Sequence, residues 1–444
     1  MGKYFGTDGF RGVANESLTA IHAFRVGRFL GRYFARGKSG RTRILVGKDT
    51  RRSSYTLEYS LAAGATASGA DVYLLHVTTT PSVSYLTRTE GFDCGVMISA
   101  SHNTFADNGI KLFNGEGEKL EDGVIAILEN YLDGGTVPLA TGAEVGCTVD
   151  YVAGRNRYLA YLLALPCVGF RGMRVGLDCA NGSAFMIAKA VFDALGAKTY
   201  TVGTMPDGLN INAGCGSTHP EVLNRLVVAE SLDVGFAFDG DADRCIVIDE
   251  RGRVLDGDAV LYLAAKGLKA RGELDGDGIV ATKMSNSGLS RSLLREGIRV
   301  DYAEVGDRFV YEEMVRRGYL LGGESSGHII FRKYSQAGDG ILTALKVLEM
   351  ALEARCPVSL LAEGYVPLPQ VRRAVHVKKR ERAMEAEGVL IAKERAEVLC
   401  DRVLLRASGT EPVVRILTEG EDERACAEAA DLLERALRSA EESI

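Results

Sequence analysis

The stretch GVMISASHN, residues 95–103, contains the strongest indication of the fold. Its apolar first half changes abruptly to small and polar residues. An apolar run of this kind is typical of a buried parallel strand, and its polar end then lies at the carboxyl edge of the sheet, where α/β folds bind ligands. We therefore expect a strand-to-loop turn that presents Ser101, with His102 and Asn103 able to orient whatever the hydroxyl carries.

Composition limits the class of protein. The chain has 444 residues, 46% of them hydrophobic and 25% charged, which is typical of a soluble globular protein of two to four domains. A net charge of −6 argues against a nucleic-acid partner. No apolar run is long enough for a membrane span, and the first residues lack the apolar core of a signal peptide. The nine cysteines form no Cys-x-x-Cys pair, so we expect reduced thiols and a cytoplasmic protein.

Strand-like and helix-like segments alternate along most of the chain, and after residue 368 their order becomes different. The pattern predicts three similar α/β domains with mixed sheets and a smaller α+β domain at the end. It also predicts a strand at 319–321, a strand starting at His328, and one charged helix over 379–398. The expected domains are residues 1–147, 148–254, 255–368 and 369–444.

Three aspartates in DGDADR, residues 239–244, form the clearest local motif. Asp239, Asp241 and Asp243 stand at a spacing of two on a glycine-containing turn between apolar strands. Carboxylates brought this close repel each other unless a cation lies between them, and Mg²⁺ prefers oxygen ligands. We therefore predict a magnesium site with Arg244 as a fixed cation beside it. The alternative is a solvated acidic loop.

A second motif, GESSG at residues 323–327, permits two interpretations. It matches the Gly-x-Ser-x-Gly pattern of serine hydrolases, with Ser325 as the nucleophile and Asp339 and His376 following in the order that this fold uses. A nucleophile elbow must lead into a helix, however, whereas the residues from His328 onward are predicted as a strand. The other interpretation is a polar loop that binds sugar hydroxyls through Glu324 and Ser326.

Two loops contain the components of phosphate sites. FGTDGFRG, residues 5–12, projects Arg11 between glycines, and RASGTEP, residues 406–412, is followed by Arg415. Guanidinium groups, hydroxyls and a flexible backbone are suited to binding a phosphate, although a solvated turn explains the second loop equally well.

Taken together and in this order, the loops resemble those of the α-D-phosphohexomutase superfamily, and most of all the bacterial phosphoglucosamine mutases. The resemblance covers essentially the whole chain and includes DGLNINAGCGSTHPE (207–221) and VGDRFV (305–310). It implies three α/β domains and a TATA-binding-protein-like fourth domain around a central cleft. It also implies that glucosamine 6-phosphate and glucosamine 1-phosphate are interconverted through glucosamine 1,6-bisphosphate, with one Mg²⁺ per subunit.

The resemblance also implies a role for individual residues. Ser101 corresponds to the phosphoserine, which is a metal ligand together with the three aspartates. The residues implied near the phosphoryl group are Arg11, His102, Lys111 and His328, with Lys111 as a candidate general acid or base. Those implied to bind substrate are Arg244, Glu324, Ser326, Arg406, Ser408, Gly409, Thr410 and Arg415.

Two residues depart from the family pattern. Thr104 stands where a proline usually follows SASHN, and Ser325 stands where the loop often has a longer side chain. The second departure keeps a phosphoglucomutase or phosphomannomutase open as an alternative, with a serine hydrolase as a distant one. We expect a monomer or homodimer that binds a small sugar phosphate and neither nucleic acid nor membrane.

Overall fold

The computed structural model describes residues 2–407 and 412–443. The chain divides into two compact units. The first comprises Met1–Ser285 and Leu293–Glu363 and contains three sheets, whereas the second comprises Asn286–Ser292 and Gly364–Ile444 and contains one. The predicted mixed α/β architecture with a different C-terminal part is confirmed. The finer division of the first unit into three domains stays a prediction.

The first sheet has seven strands in the order β1-β2-β6-β5-β3-β4-β7. Its strands are β1 (Phe5–Gly6), β2 (Gly9–Val13), β3 (Arg43–Lys48), β4 (Asp71–Val77), β5 (Cys94–Ile98), β6 (Asp107–Asn114) and β7 (Thr148–Asp150). Strand β5 pairs in parallel with β3 and antiparallel with β6. All five residues of β5 are buried, as the apolar run at 95–98 predicted.

Five helices follow the strands of this sheet: α1 (Ala20–Tyr33), α2 (Arg52–Ala67), α3 (Thr80–Thr89), α4 (Asp122–Leu132) and α5 (Val152–Leu163). Helices α1 and α2 cross at close range because glycines lie at their contact. A Cβ atom on Gly27 would lie 2.0 Å from the carbonyl oxygen of Leu61, and one on Gly64 would lie 1.9 Å from that of Phe24. The apolar faces of these two helices bury one side of the sheet.

The second sheet has the order β12-β11-β10-β8-β9. Its strands are β8 (Arg174–Asp178), β9 (Lys198–Val202), β10 (Val234–Phe238), β11 (Cys245–Asp249) and β12 (Val254–Leu255), and its helices are α6 (Ile187–Ala194) and α7 (Glu221–Ala229). Strand β10 is buried throughout and lies parallel to β8 but antiparallel to β11. Its end delivers the aspartate motif directly to the edge of the sheet.

The third sheet has the order β14-β13-β15-β16. Its strands are β13 (Gly278–Thr282), β14 (Arg299–Ala303), β15 (Leu321–Gly323) and β16 (Ile329–Phe331). Five helices occur in this part of the chain: α8 (Gly257–Ala270), α9 (Ser287–Arg295), α10 (Asp307–Arg317), α11 (Gly340–Ala354) and α12 (Val358–Leu361). The strand predicted at 319–321 starts later, at Leu321. Tyr319 is instead part of the turn that closes α10, because Gly318 takes a left-handed φ of 78° and the amide of Tyr319 donates to the carbonyl of Met314.

The second unit has an antiparallel sheet of order β17-β19-β18, with strands β17 (Gln370–His376), β18 (Arg402–Ala407) and β19 (Val413–Glu419). Its helices are α13 (Arg380–Met384), α14 (Glu387–Leu399) and α15 (Glu423–Ser443). The single helix predicted over 379–398 is wrong, because the chain is extended at Ala386. Residues six apart in a straight helix point about 120° apart, so the break allows Ala383 and Val389 both to be buried in one core.

Among the residues that the structure describes, no helix is long and apolar enough to cross a membrane.

Candidate active site

Ser101 lies on the turn after β5 and is completely buried. Its backbone has a left-handed φ of 53°, and its amide donates to Ser99 Oγ at 2.9 Å. The hydroxyl donates to Asp239 Oδ2, 2.5 Å away. The two polar strand ends that the sequence singled out, after β5 and after β10, are therefore in direct contact.

Asp239, Asp241 and Asp243 are buried, and one candidate ligand atom from each lies within 4.8 Å of the others. Asp241 Oδ1 and Asp243 Oδ1 are buried and have no hydrogen-bond partner among the described residues. Burial, and next the charges of its two neighbours, hold the pKa of Asp239 well above its usual range. Converging carboxylate oxygens that lack donors fit a divalent cation, so this cluster can bind one.

Lys111, on β6, is the main cation of the cluster. Its Nζ donates to Asp241 Oδ2 and to Asp243 Oδ2, both at 2.8 Å, and lies 3.5 Å from Asp8 Oδ2. Burial lowers the pKa of Lys111, but these carboxylates outweigh that effect and raise it well above its usual value. For Asp243, burial is likewise outweighed, here by Lys111, and its pKa is lowered. The ammonium group and Asp243 are therefore both charged at neutral pH.

Two arginines and a histidine surround this cluster. Arg11 pairs with Asp8, and Arg244 Nε lies 4.0 Å from Asp239 Oδ2 and 3.8 Å from Asp243 Oδ1. His102 Nδ1 is 3.4 Å from Ser101 Oγ. Burial, and then the charges of Arg244 and Arg11, lower the pKa of His102 to about 4, so the ring is neutral at pH 7.

The third group of predicted residues lies on the turn between β15 and β16. His328 Nε2 accepts the amide of Gly338 at 2.9 Å and lies 3.7 Å from Asp307 Oδ2. Ser326 Oγ is buried without a hydrogen-bond partner in the described chain. Burial raises the pKa of Glu324, while Arg244 and Lys119 act in the opposite direction. These contacts and charges connect the turn to the cluster around Ser101.

The same turn argues against the serine hydrolase. Ser325 lies between two antiparallel strands, whereas a nucleophile elbow leads from a strand into a helix. Asp339, the acid of that hypothesis, accepts the Tyr158 hydroxyl at 2.7 Å and the amide of Leu342 at 2.9 Å. Asp339 is the N-cap of α11, so its carboxylate is already hydrogen-bonded to that helix.

Replacing Ser325 by alanine is therefore expected to leave catalytic turnover within about tenfold of the wild type, since one neutral hydrogen bond contributes about 0.5–1.5 kcal/mol. Steady-state kcat and KM, measured with a sugar phosphate, test this. Ester hydrolysis by the wild type that is lost in this variant would favour the hydrolase.

Asp339 also predicts a pH dependence of stability. Burial raises its pKa from 3.8 to about 6, so folding favours the protonated carboxyl. The corresponding stabilisation is complete below the unfolded pKa and is lost as pH rises through about 6. Relative to Asp339→Asn, the wild type should lose up to about 3 kcal/mol across this window. Urea unfolding at a series of pH values measures the difference.

Asp193→Asn is the matched control for that titration. Hydrogen bonds from Lys189 and Thr199 outweigh partial burial and lower the pKa of Asp193. The stabilisation from ionised Asp193 should therefore be lost as pH falls below about 4, whereas that from Asp339 is lost as pH rises. A pH-independent difference for Asp339→Asn would contradict the assignment.

In the second unit, Arg406 on β18 lies directly opposite Arg415 on β19, and both are exposed. Guanidinium groups bind phosphate and carboxylate oxygens, so this pair can contribute to an anion site. Ser408, Gly409 and Thr410 lie outside the described residues.

Sequence reasoning missed several polar residues that hold the cluster in place. Lys119 Nζ contacts Asp8 Oδ1 at 2.9 Å and Asp307 Oδ1 at 2.5 Å. Thr80, at the start of α3, donates its hydroxyl to Asp241 Oδ2 at 2.6 Å. Asp8 and Asp307 stand inside stretches already quoted for the resemblance, whereas Thr80 and Lys119 belong to no local motif.

Four family models match successive parts of the chain. Those described as phosphoglucomutase/phosphomannomutase alpha/beta/alpha domains I, II and III match residues 2–136, 156–252 and 256–367, and the model of the C-terminal domain matches 353–436. The chain belongs to the α-D-phosphohexomutase superfamily and is an isomerase of that class.

Curated relatives carry a narrower name. A phosphoglucosamine mutase of Lachnospira eligens is 56% identical, covering 97% of each chain, and that of Bacillus subtilis is 44% identical, covering 99% of each. Among solved structures, a phosphoglucomutase/phosphomannomutase family protein from Burkholderia thailandensis matches with a TM-score of 0.81 and 25% identity, covering 99% of this chain and 98% of that one. The phosphohexomutase fold and resemblance predicted from the sequence are thereby confirmed.

Proposed function

We propose that the chain acts as a phosphoglucosamine mutase. It interconverts glucosamine 6-phosphate and glucosamine 1-phosphate through phosphorylated Ser101 and a glucosamine 1,6-bisphosphate intermediate, which also serves as activator. The reaction supplies UDP-N-acetylglucosamine and peptidoglycan precursors. The observation that carries the proposal is the contact between Ser101 Oγ and Asp239 in a buried cluster of carboxylates and cations. The names of the full-length relatives support the choice of sugar.

Two phosphoryl transfers make up the proposed cycle. In the first, the bond between phosphorus and Ser101 Oγ breaks while a sugar hydroxyl forms a bond to phosphorus, and the proton that this hydroxyl loses is balanced by the proton that Ser101 Oγ gains, with Lys111 as the candidate group that transfers it. The bisphosphate then turns within the site and returns its other phosphoryl group to Ser101. Such transfers depend on positioning and charge compensation. Arg11 and Lys111 supply positive charge, and Lys111 is the candidate general acid or base.

The three aspartates, together with the phosphorylated Ser101, would hold one Mg²⁺. Support comes from the carboxylate oxygens that lack donors, because hard oxygen ligands suit this ion. When bound, Mg²⁺ stabilises negative charge on a transferring phosphoryl group.

The remaining predicted residues have binding roles in this proposal. Glu324 and Ser326 bind sugar hydroxyls, and their polar groups on the β15–β16 turn support this. His102, Arg244 and His328 contact the phosphoryl group or the sugar. The residues proposed to bind the non-reacting phosphate are Arg406, Ser408, Gly409, Thr410 and Arg415.

A phosphohexomutase specific for glucose or mannose phosphates is the second candidate, because the matching family models carry those names. The test compares kcat/KM for glucosamine 6-phosphate, glucose 1-phosphate and mannose 1-phosphate, using phosphorylated enzyme with Mg²⁺. A clear preference for the amino sugar supports the proposal. A preference for glucose or mannose phosphate would replace it with the second candidate.

The broader setting is part of the same proposal. We infer a cytoplasmic enzyme that acts as a monomer or homodimer and binds no nucleic acid or membrane. Its three α/β domains would end at residues 147, 254 and 368. The names of the relatives, which are sugar-phosphate mutases, support a small-molecule substrate.

A further inference from the structure

The guanidinium group of Arg51 lies completely buried beneath the Ser101 loop. Its two terminal nitrogens donate to backbone carbonyl oxygens. The four acceptors are the carbonyls of Ser101 at 3.0 Å, Asn103 at 2.8 Å, Asp107 at 3.0 Å, and Thr104. One side chain thus donates hydrogen bonds to four carbonyls in and next to the loop that carries the proposed phosphoserine.

Asp49 holds Arg51 in this position. Its Oδ2 accepts from Arg51 Nε at 2.7 Å and from the Ser99 hydroxyl at 2.8 Å, and Ser99 Oγ in turn accepts the amide of Ser101. A continuous set of hydrogen bonds therefore runs from the guanidinium through Asp49 and Ser99 back to Ser101. The buried charges are paired and their hydrogen-bonding groups are used, which is the condition under which such a pair is tolerated.

Asn212, in the segment between β9 and α7, contacts the same loop. Its Nδ2 donates to the carbonyls of Ser101 and Asn103, each at 2.9 Å. Two of the four carbonyls that Arg51 binds are therefore bound twice. The approach on this side is close, because a Cβ atom on Gly240 would lie 2.6 Å from the carbonyl oxygen of Ser101.

We propose that Arg51 is a positioning residue for phosphoryl transfer, and this rests on the proposed role of Ser101 as phosphoryl carrier. A serine at a φ of 53° keeps that conformation only where its surroundings enforce it. The planar guanidinium binds several carbonyls in a fixed geometry, which a lysine ammonium group does not reproduce. Arg51 thereby keeps Ser101 Oγ directed at the carboxylate cluster.

Arg51→Lys tests this in the full-length enzyme, with Arg52→Lys as the matched control on the exposed neighbour. Displacing a reacting group by about 1 Å costs about 100-fold in rate, so we expect kcat to fall about 100-fold while KM changes less than about threefold. If Arg51 had a merely structural role, the substitution would lower the amount of folded enzyme, and the folded fraction would keep the wild-type kcat. Wild-type kcat in Arg51→Lys would overturn the inference.

Arg51→Ala provides a second readout. Millimolar guanidinium should restore part of its kcat, since the ion can occupy the vacated position, and should leave Arg52→Ala unaffected. Failure of guanidinium to raise the rate of a folded Arg51→Ala enzyme would contradict the proposal. If neither Arg51 variant folds, Asn212→Gly keeps the positive φ of that residue and removes its side chain, including the amide that binds two of the same carbonyls. It should lower kcat with little effect on KM, and an unchanged kcat would overturn the inference.

Amide hydrogen exchange separates this inference from the proposed function. In wild-type enzyme the amides of Ser101 and Asn103, which donate to Ser99 Oγ and to the carbonyl of Ala100, should be protected, and Arg51→Lys should lose that protection while β3 keeps its own. A wild type without mutase turnover would refute the proposed function, yet the exchange comparison would still decide whether Arg51 holds the loop. Equal protection in both proteins would overturn the inference whatever the activity.

Discussion

Replacing Ser101 by alanine is expected to abolish phosphoryl transfer, with kcat falling by about 10⁴-fold or more. The hydroxyl is the proposed covalent carrier, and removing a nucleophile eliminates the covalent route rather than weakening it. The substitution removes one oxygen from a buried turn, and the loop contacts of Arg51 and Asn212 are to backbone carbonyls and remain. Turnover of glucosamine 6-phosphate measures the loss of rate.

Intact-mass measurement after incubation with the sugar bisphosphate provides the second readout for this variant. Wild-type enzyme should gain one phosphoryl group and Ser101→Ala none. Ser325→Ala is the matched control, since it removes the same atom from another polar turn and should still be phosphorylated. Mutase turnover that persists in Ser101→Ala would disprove the phosphoserine mechanism, although the family assignment would stand.

Replacing Asp241 by asparagine is expected to weaken metal binding and to lower kcat by about 10³-fold. Its Oδ2 is held by Thr80 and Lys111, which leaves the buried Oδ1 without a donor among the described residues. A neutral amide offers the ion less charge at this position. A metal ion contributes several kcal/mol of transition-state stabilisation, and each 1.36 kcal/mol is tenfold in rate.

Calorimetric titration of unphosphorylated enzyme with Mg²⁺ or Mn²⁺ tests the site without relying on turnover. The wild type should bind one ion, and Asp241→Asn should bind it at least tenfold more weakly. Asp193→Asn removes a charge from an exposed carboxylate on α6 and should behave as the wild type. Unchanged affinity in Asp241→Asn would mean that the aspartates do not form the metal site.

The strands that carry the site were predictable because their signals are local. Residues 95–98 and β10 are continuous apolar runs that end in polar residues, and such runs indicate buried strands wherever they lie. The spacing of Asp239, Asp241 and Asp243 likewise indicated a cation site before any fold was known. The start of β15 and the end of α13 were harder to predict, because they depend on a left-handed glycine after α10 and on the burial of two side chains in one core.

The sequence by itself determined the α/β class, the two buried strands that precede Ser101 and the aspartates, and the choice of candidate site residues, since each follows from neighbouring positions in the chain. Only the tertiary structure decided which of these residues meet. Lys111 contacts Asp241 across 130 positions, and Thr80 reaches the same carboxylate across 161. The local sequence does not distinguish Arg51 from other arginines that follow a strand. Only the folded structure shows that four backbone carbonyls accept hydrogen bonds from it. Such contacts depend on how separate sheets pack, and no local pattern encodes that.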